Sequence, residues 1–252
     1  MISIVGAGSG AADLITVRGA RLLGQADVII YAGSLVNPEL LSYAKSHCAI
    51  HNSATMTLEE VIDVMAAAHF KGQNVVRLHT GDPSIYGAIR EQMDELRRKN
   101  IPFEVVPGVS SFCGAAAALQ AEYTLPGVSQ TVIITRAAGR TPVPERESIR
   151  ALASHGSTMV VFLSTGLLEK LEQELTAGGY RPETPAAIVY KATWPDEKVC
   201  RCTVNTLART AEANGITKTA LILVGDFLGG DYERSKLYDP GFTTGYRQGA
   251  NR

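Results

Sequence analysis

Three runs place glycine, proline and polar side chains where strands should end, and loops of that composition build sites. They are Gly6-Ala7-Gly8-Ser9-Gly10-Ala11, Thr80-Gly81-Asp82-Pro83-Ser84-Ile85-Tyr86-Gly87 and Val189-Tyr190-Lys191-Ala192-Thr193-Trp194-Pro195-Asp196-Glu197-Lys198. The first formally satisfies the dinucleotide fingerprint, with alanine in the last place. A nicotinamide site also needs an acid at the carboxyl end of the second strand to hold the ribose. Asp27 has about the right spacing but precedes Val28-Ile29-Ile30, and the other end of that strand carries Tyr31, Ala32 and Gly33. The run therefore argues against a nicotinamide cofactor. Close approach of another ligand and a tight strand-to-helix turn both stay open. Asp82 reads either as an acceptor for a polar ligand or as a turn-forming Asp-Pro. His79 is within reach of that loop as a proton relay, against the simpler reading of a structural histidine. Trp194 beside proline reads as packing more readily than as chemistry.

Metal chemistry has little support. Cys48, Cys113, Cys200 and Cys202 lack zinc-site spacing, and the last two are alternate positions on one strand face. His47 and His51 flank the start of a strand rather than sharing a helical face. No metal site is expected, and no general base is assigned. The formal net charge of -1, with 19% charged residues, supplies no basic field for long nucleic acid or an anionic membrane. No apolar run reaches membrane-spanning length, and Met1-Ile2-Ser3-Ile4-Val5 enters a strand without a basic leader, so a cytoplasmic protein with a small ligand is expected.

The elements that must position these loops alternate. In the first half, β-branched runs at 2–5, 28–31, 75–78 and 103–106 are interleaved with helical patterns at 14–25, 58–70, 86–99 and 110–119. Such alternation predicts a mostly parallel sheet covered by helices. Val61, Ile62, Met65, Ala66 and His69 recur at helical steps and form a core stripe. The pattern breaks at Glu122-Tyr123-Thr124-Leu125-Pro126-Gly127, where proline restricts the preceding residue and glycine permits a turn. This places an N-terminal domain over 1–121 and a C-terminal one over 128–230. The second half carries strands at 131–135, 158–162, 186–190, 199–203 and 219–224, with helices at 148–154, 167–177 and 206–214. The short gap after 190 predicts a hairpin and a mixed sheet. Residues 231–252 show no apolar period and are expected to form a loosely ordered tail.

Gly6-Ala7-Gly8, Tyr31-Ala32-Gly33-Ser34-Leu35-Val36, the Gly81-Asp82-Pro83 loop, Val105-Val106-Pro107-Gly108-Val109-Ser110-Ser111 and Thr219-Ala220-Leu221-Ile222-Leu223-Val224-Gly225 together resemble the tetrapyrrole methyltransferases. Within them, the segment Thr135-Arg136-Ala137-Ala138-Gly139-Arg140-Thr141-Pro142-Val143-Pro144-Glu145 and the 190–198 run resemble the branch that methylates carbon 11 of precorrin-4, or of its cobalt complex, in cobalamin biosynthesis. The resemblance covers roughly residues 1–228. It implies a two-domain α/β fold with the active site in the cleft between domains, a homodimer, and S-adenosylmethionine as cofactor, released as S-adenosylhomocysteine. It implies cofactor contacts at Thr80, Gly81, Asp82, Ile85, Tyr86, Ser110, Ser111, Leu163, Ser164, Ala192, Thr219, Ala220 and Leu221. Gly8 and Ser9 are expected at the substrate trough. Two positions depart from the family's Gly-x-Gly-Pro-Gly-Asp loop: Ser9 stands for the proline and Ala11 for the acid. Serine is less restricted in φ than proline, which predicts a looser loop.

Methyl transfer from a sulfonium to carbon is an in-line displacement, so the protein's main task is alignment. The macrocycle implied by the resemblance bears acetate and propionate groups. Arg136 and Arg140, in a loop stiffened by Pro142 and Pro144, are the expected carboxylate clamps, against the plainer reading of solvated arginines. The alternatives within the same chemistry are another position of a corrin precursor or uroporphyrinogen. A noncatalytic tetrapyrrole-binding protein is the alternative outside it.

Overall fold

The β-branched runs of the first half assemble into one parallel sheet. The computed structural model describes residues 1–250. The chain forms two units, the first comprising Met1–Ala117 together with Lys191–Glu197. Its strands are β1 (Ile2–Gly6), β2 (Val28–Tyr31), β3 (Ala49–Asn52), β4 (Val75–His79) and β5 (Phe103–Val106), in the order β3-β2-β4-β1-β5. Every pairing in this sheet is parallel.

The helices form where the sequence marks their ends. α1 (Val17–Gln25) starts after Thr16, whose side chain accepts from the Gly19 N–H. It begins three residues later than the apolar period suggests, because 12–14 turn as a separate 3-10 segment. α2 (Leu58–Phe70) opens with a reciprocal capping box between Thr57 and Glu60 and buries Val61, Ile62, Met65 and Ala66. That stripe packs on Ile2, Val28, Ile30 and Val75, while Leu23, Ala26 and Leu40 cover Val5, Ile29, Val76 and Leu78 on the other face. Helix α3 (Ile89–Arg98) begins later than the expected 86. Tyr86 and Ala88 hold left-handed backbone, with φ of 55 and 48°, so Tyr86 lies in a turn before the helix. Helix α4 spans Ser111–Leu119.

The second unit begins at Ala118 and resumes at Lys198 after the 191–197 excursion. It contains β6 (Val132–Arg136), α5 (Ile149–Ala153), β7 (Thr158–Phe162), α6 (Leu168–Gly178), β8 (Pro185–Tyr190), β9 (Lys198–Thr203), α7 (Leu207–Ala213) and β10 (Ala220–Val224). The sheet order is β6-β7-β10-β8-β9. Only β6 and β7 pair in parallel, and β8 and β9 form the expected antiparallel hairpin, so this sheet is mixed. Met159, Val161, Ile188, Ile222 and Val224 bury one sheet face against Ile149, Leu168, Leu171, Leu175 and Leu207. In the tail, the Arg247 guanidinium donates to the carbonyls of Leu237 and Asp239. Among the described residues, no helix is long and apolar enough to cross a membrane, and no group of three or more His, Cys, Asp or Glu side chains is placed to hold a metal.

Candidate functional site

In an open parallel sheet, ligands bind beyond the carboxyl ends of the strands. Here the loops that follow β1, β4 and β5 meet at that end with no room for side chains. A Cβ on Gly6 would stand 2.6 Å from the Gly108 Cα and 2.6 Å from the Gly81 oxygen. One on Gly108 would stand 2.2 Å from the Gly81 oxygen. Gly8 and Gly81 bond reciprocally, through Gly81 N–H to Gly8 O at 3.0 Å and Gly8 N–H to Gly81 O at 3.3 Å. Gly81 adopts φ 60°, which glycine alone takes without strain. The glycines flagged by the dinucleotide pattern thus serve backbone-to-backbone packing.

Asp82 links two of these loops. One carboxylate oxygen accepts the Gly108 N–H at 2.9 Å, and the other accepts the Ser84 N–H at 2.8 Å and the Ser84 hydroxyl. Burial pushes the Asp82 carboxyl up, but these three bonds outweigh it and hold the group below its ordinary value. The turn-forming reading of this residue holds, and its carboxylate is kept ionised within the loop. Beside it, the Thr80 hydroxyl is buried without a partner, and such an orphan calls for a ligand or water. Ser110 is buried and Ser111 half-buried at the start of α4. Ile85 is half-buried, and Tyr86 is exposed.

His79 is 4% exposed on β4, and burial first, then the Arg77 charge, pushes its pKa down to about 3. Arg77 is itself buried, donating from Nε to Gln92 Oε1 at 3.1 Å and from Nη1 to the Ile30 carbonyl at 3.2 Å. Burial lowers Arg77 to about 10, so it stays cationic at neutral pH while His79 stays neutral. Nothing in the sequence pattern marks Arg77 as the charge that adds to the effect of burial on His79.

In the second unit, Leu163 follows β7 with φ 53° and is exposed, and Thr219 precedes β10 with φ 58°. A non-glycine residue held at positive φ is a frequent mark of functional loops. Ser164 is fully buried and joins two strand ends, donating to the Phe162 carbonyl at 2.7 Å and accepting the Ala137 N–H at 2.9 Å. Ala220 and Leu221 are buried in β10. The Arg136 guanidinium donates to its own loop, at 3.2 Å to the Thr141 carbonyl and 2.8 Å to the Pro142 carbonyl. It braces the loop on which the exposed Arg140 is carried.

The 191–197 segment belongs with the first unit, where it meets the glycine loop. Lys191 Nζ pairs with the Asp196 carboxylate at 2.6 Å and lies 5.3 Å from the Trp194 ring centroid. Ala192 is buried. A Cβ on Gly10 would stand 2.2 Å from Trp194 Cδ1 and 2.6 Å from the Ala192 carbonyl oxygen, so the tryptophan packs directly on the loop backbone. Ser9 is buried, with its hydroxyl 3.1 Å from that of Thr193. The buried Asn37 donates to the Gly10 carbonyl at 3.0 Å. The loop expected to be loose is therefore tied on several sides. Thr193 and Asn37 escape sequence reading because their partners lie 184 and 27 residues away.

A parallel sheet whose carboxyl-end loops form a glycine-lined cradle, in a chain that also carries a second unit with a mixed sheet, fits a methyltransferase. The model of the Tetrapyrrole (Corrin/Porphyrin) Methylases matches residues 1–208, and the chain belongs to this family. It is 56% identical over 248 residues to a cobalt-precorrin-4 C(11)-methyltransferase of Methanocaldococcus jannaschii, covering 98% of this chain and 96% of that protein. It is 45% identical over 228 residues to a precorrin-4 C(11)-methyltransferase of Mycobacterium tuberculosis, covering 90% and 91% of the two. The X-ray structure of the cobalamin biosynthetic enzyme CbiF, a cobalt precorrin-4 methyltransferase, superposes with a TM-score of 0.89 at 49% identity, covering 91% of this chain and 96% of that one. A uroporphyrin-III C-methyltransferase from Thermus thermophilus, complexed with S-adenosyl homocysteine, superposes with a TM-score of 0.72 at 26% identity, covering 90% and 93%.

Proposed function

We propose that this protein transfers a methyl group from S-adenosylmethionine to carbon 11 of precorrin-4, or of its cobalt complex, in cobalamin biosynthesis. The observation that carries the reading is 56% identity, over nearly the full length of both chains, to an enzyme named for that reaction. The cofactor fits the chemistry of the cradle: Thr80 offers an unpartnered hydroxyl, and Asp82 offers an ionised carboxylate to a cationic ligand. When bound, S-adenosylmethionine supplies an electrophilic methyl on a sulfonium, so no nucleophilic side chain is required.

The residues then have the work of orientation. Gly6, Gly81 and Gly108 let the three loop backbones close up and hold Thr80 and Asp82 in place. Arg136 stiffens the loop that presents Arg140 toward the substrate's carboxylates. His79 is neutral and takes no part as an acid near neutral pH. A cytoplasmic homodimer completes the reading. Titration calorimetry with S-adenosylhomocysteine tests its cofactor half. Binding is expected in the wild type and about tenfold weaker in Thr80→Val, which removes the hydroxyl at constant shape. Absence of binding to the wild type refutes it.

A further inference from the structure

Thr193 occupies left-handed backbone, φ 68°, which a β-branched residue rarely adopts. Its surroundings enforce this conformation. The Thr193 N–H donates to the Glu197 carboxylate at 2.6 Å, and the Lys191–Asp196 pair closes the same short segment. The result is that the Thr193 hydroxyl faces the glycine loop, where its oxygen accepts the Ala11 N–H at 3.0 Å and bonds the Ser9 hydroxyl at 3.1 Å. A threonine hydroxyl has one donor and two acceptor sites, enough for both bonds. The residues on either side press on the loop as well, through the Ala192 carbonyl and the Trp194 ring against Gly10. Packing is equally tight behind: a Cβ on Gly114 would stand 2.8 Å from Ser9 Cβ and 3.2 Å from the Thr193 methyl.

We propose that Thr193 is the positioning residue of the glycine loop, fixing Ser9 and Ala11 through one hydroxyl oxygen, and that Ser9 serves the substrate site through this bond rather than by touching the tetrapyrrole. The assignment rests on the reading that the loop borders the substrate. It follows from the geometry because Ser9 is 5% exposed and its hydroxyl is already engaged. The substituents on the Thr193 Cβ divide the work. The hydroxyl holds the loop, and the methyl fills the space beside Gly114.

Two variants separate these roles. Thr193→Val keeps the shape and removes the acceptor, whereas Thr193→Ser keeps the hydroxyl. In the full-length protein, amide hydrogen exchange at Ala11 is expected to accelerate about tenfold in Thr193→Val and to stay within about twofold in Thr193→Ser. Exchange at Gly81, whose N–H bonds the Gly8 carbonyl, serves as the internal reference. In turnover with precorrin-4, Thr193→Val is expected to raise KM for the tetrapyrrole about tenfold while S-adenosylhomocysteine affinity holds, and Thr193→Ser to restore it. Ser9→Ala is expected to give a smaller rise alone and none on top of Thr193→Val. Unchanged Ala11 exchange in Thr193→Val overturns the proposal, and so does a Thr193→Ser variant as impaired as Thr193→Val. Parallel loss of substrate binding, cofactor binding and Tm overturns it too, as a purely structural role. The exchange measurement needs no substrate. Accelerated Ala11 exchange in a protein that methylates no tetrapyrrole would support the contact while refuting the proposed reaction.

Discussion

His79 makes the stability of this protein depend on pH in a way that can be worked out in advance. The imidazole is 4% exposed, its Nε2 lacks a partner, and the Arg77 guanidinium beside it adds to the cost of a second positive charge. Burial is the larger cause and Arg77 the smaller, with Gln92 pulling the other way, and the folded pKa falls from 6.5 to about 3. The unfolded chain therefore binds one more proton than the folded one between these two values. Stability is full above the unfolded pKa, declines as pH falls through this window, and levels off below the folded pKa. From pH 7 to pH 5 one such group costs about 2 kcal/mol, because the unfolded imidazole protonates and the folded one does not. Urea denaturation of the wild type and His79→Gln at both pH values isolates this contribution, since other titrating groups cancel between the variants. The wild type is expected to lose about 2 kcal/mol more than His79→Gln over that step. Equal losses in the two proteins, or an imidazole resonance for His79 that titrates near 6.5, would refute the reasoning.

Other perturbations follow from the cradle. Gly108→Ala would press a Cβ onto the Gly81 oxygen and the Gly6 Cα, and a loss of about 1–3 kcal/mol, read as a lower Tm with loss of cofactor binding, is expected. A near-wild-type Gly108→Ala would show that the three loops are not in contact. Asp82→Asn replaces one accepting oxygen by a donor and should weaken S-adenosylhomocysteine binding about tenfold by calorimetry. Because the Asp82 carboxyl is held below its ordinary value, its contribution to stability is present above the unfolded pKa and is lost as pH falls through the folded one. Arg136→Ala releases the 137–142 loop and should raise KM for the tetrapyrrole about tenfold with cofactor affinity intact. Equal loss of both would remove Arg136 from the substrate side.

The elements were legible because their signals are local. Thr57 and Glu60 form their capping box within one helical turn, and the β-branched runs at 28–31 and 75–78 need no distant partner to read as strand. Alternation of strand and helix in the first half, and the short gap between β8 and β9, gave the parallel and mixed sheets. The misplaced helix start at Tyr86 has a backbone cause, since Tyr86 and Ala88 take a positive φ that apolar spacing does not record. The glycine run was visible but its role was not. Whether Gly6 faces a pyrophosphate or another loop depends on Gly81 and Gly108, which arrive from two other strands. The same holds for Ser9, whose meaning lies in Thr193, and for Arg136, whose charge turns back on its own loop.

The proposed reaction adds one methyl to one carbon of one macrocycle. It is tested most directly by anaerobic incubation of the purified protein with methyl-labelled S-adenosylmethionine and precorrin-4, in cobalt-free and cobalt-loaded forms, followed by mass spectrometry and carbon NMR. One added methyl, located at carbon 11, is expected in at least one form. Label at a different carbon, or tight cofactor binding with no transfer to either form, would contradict it.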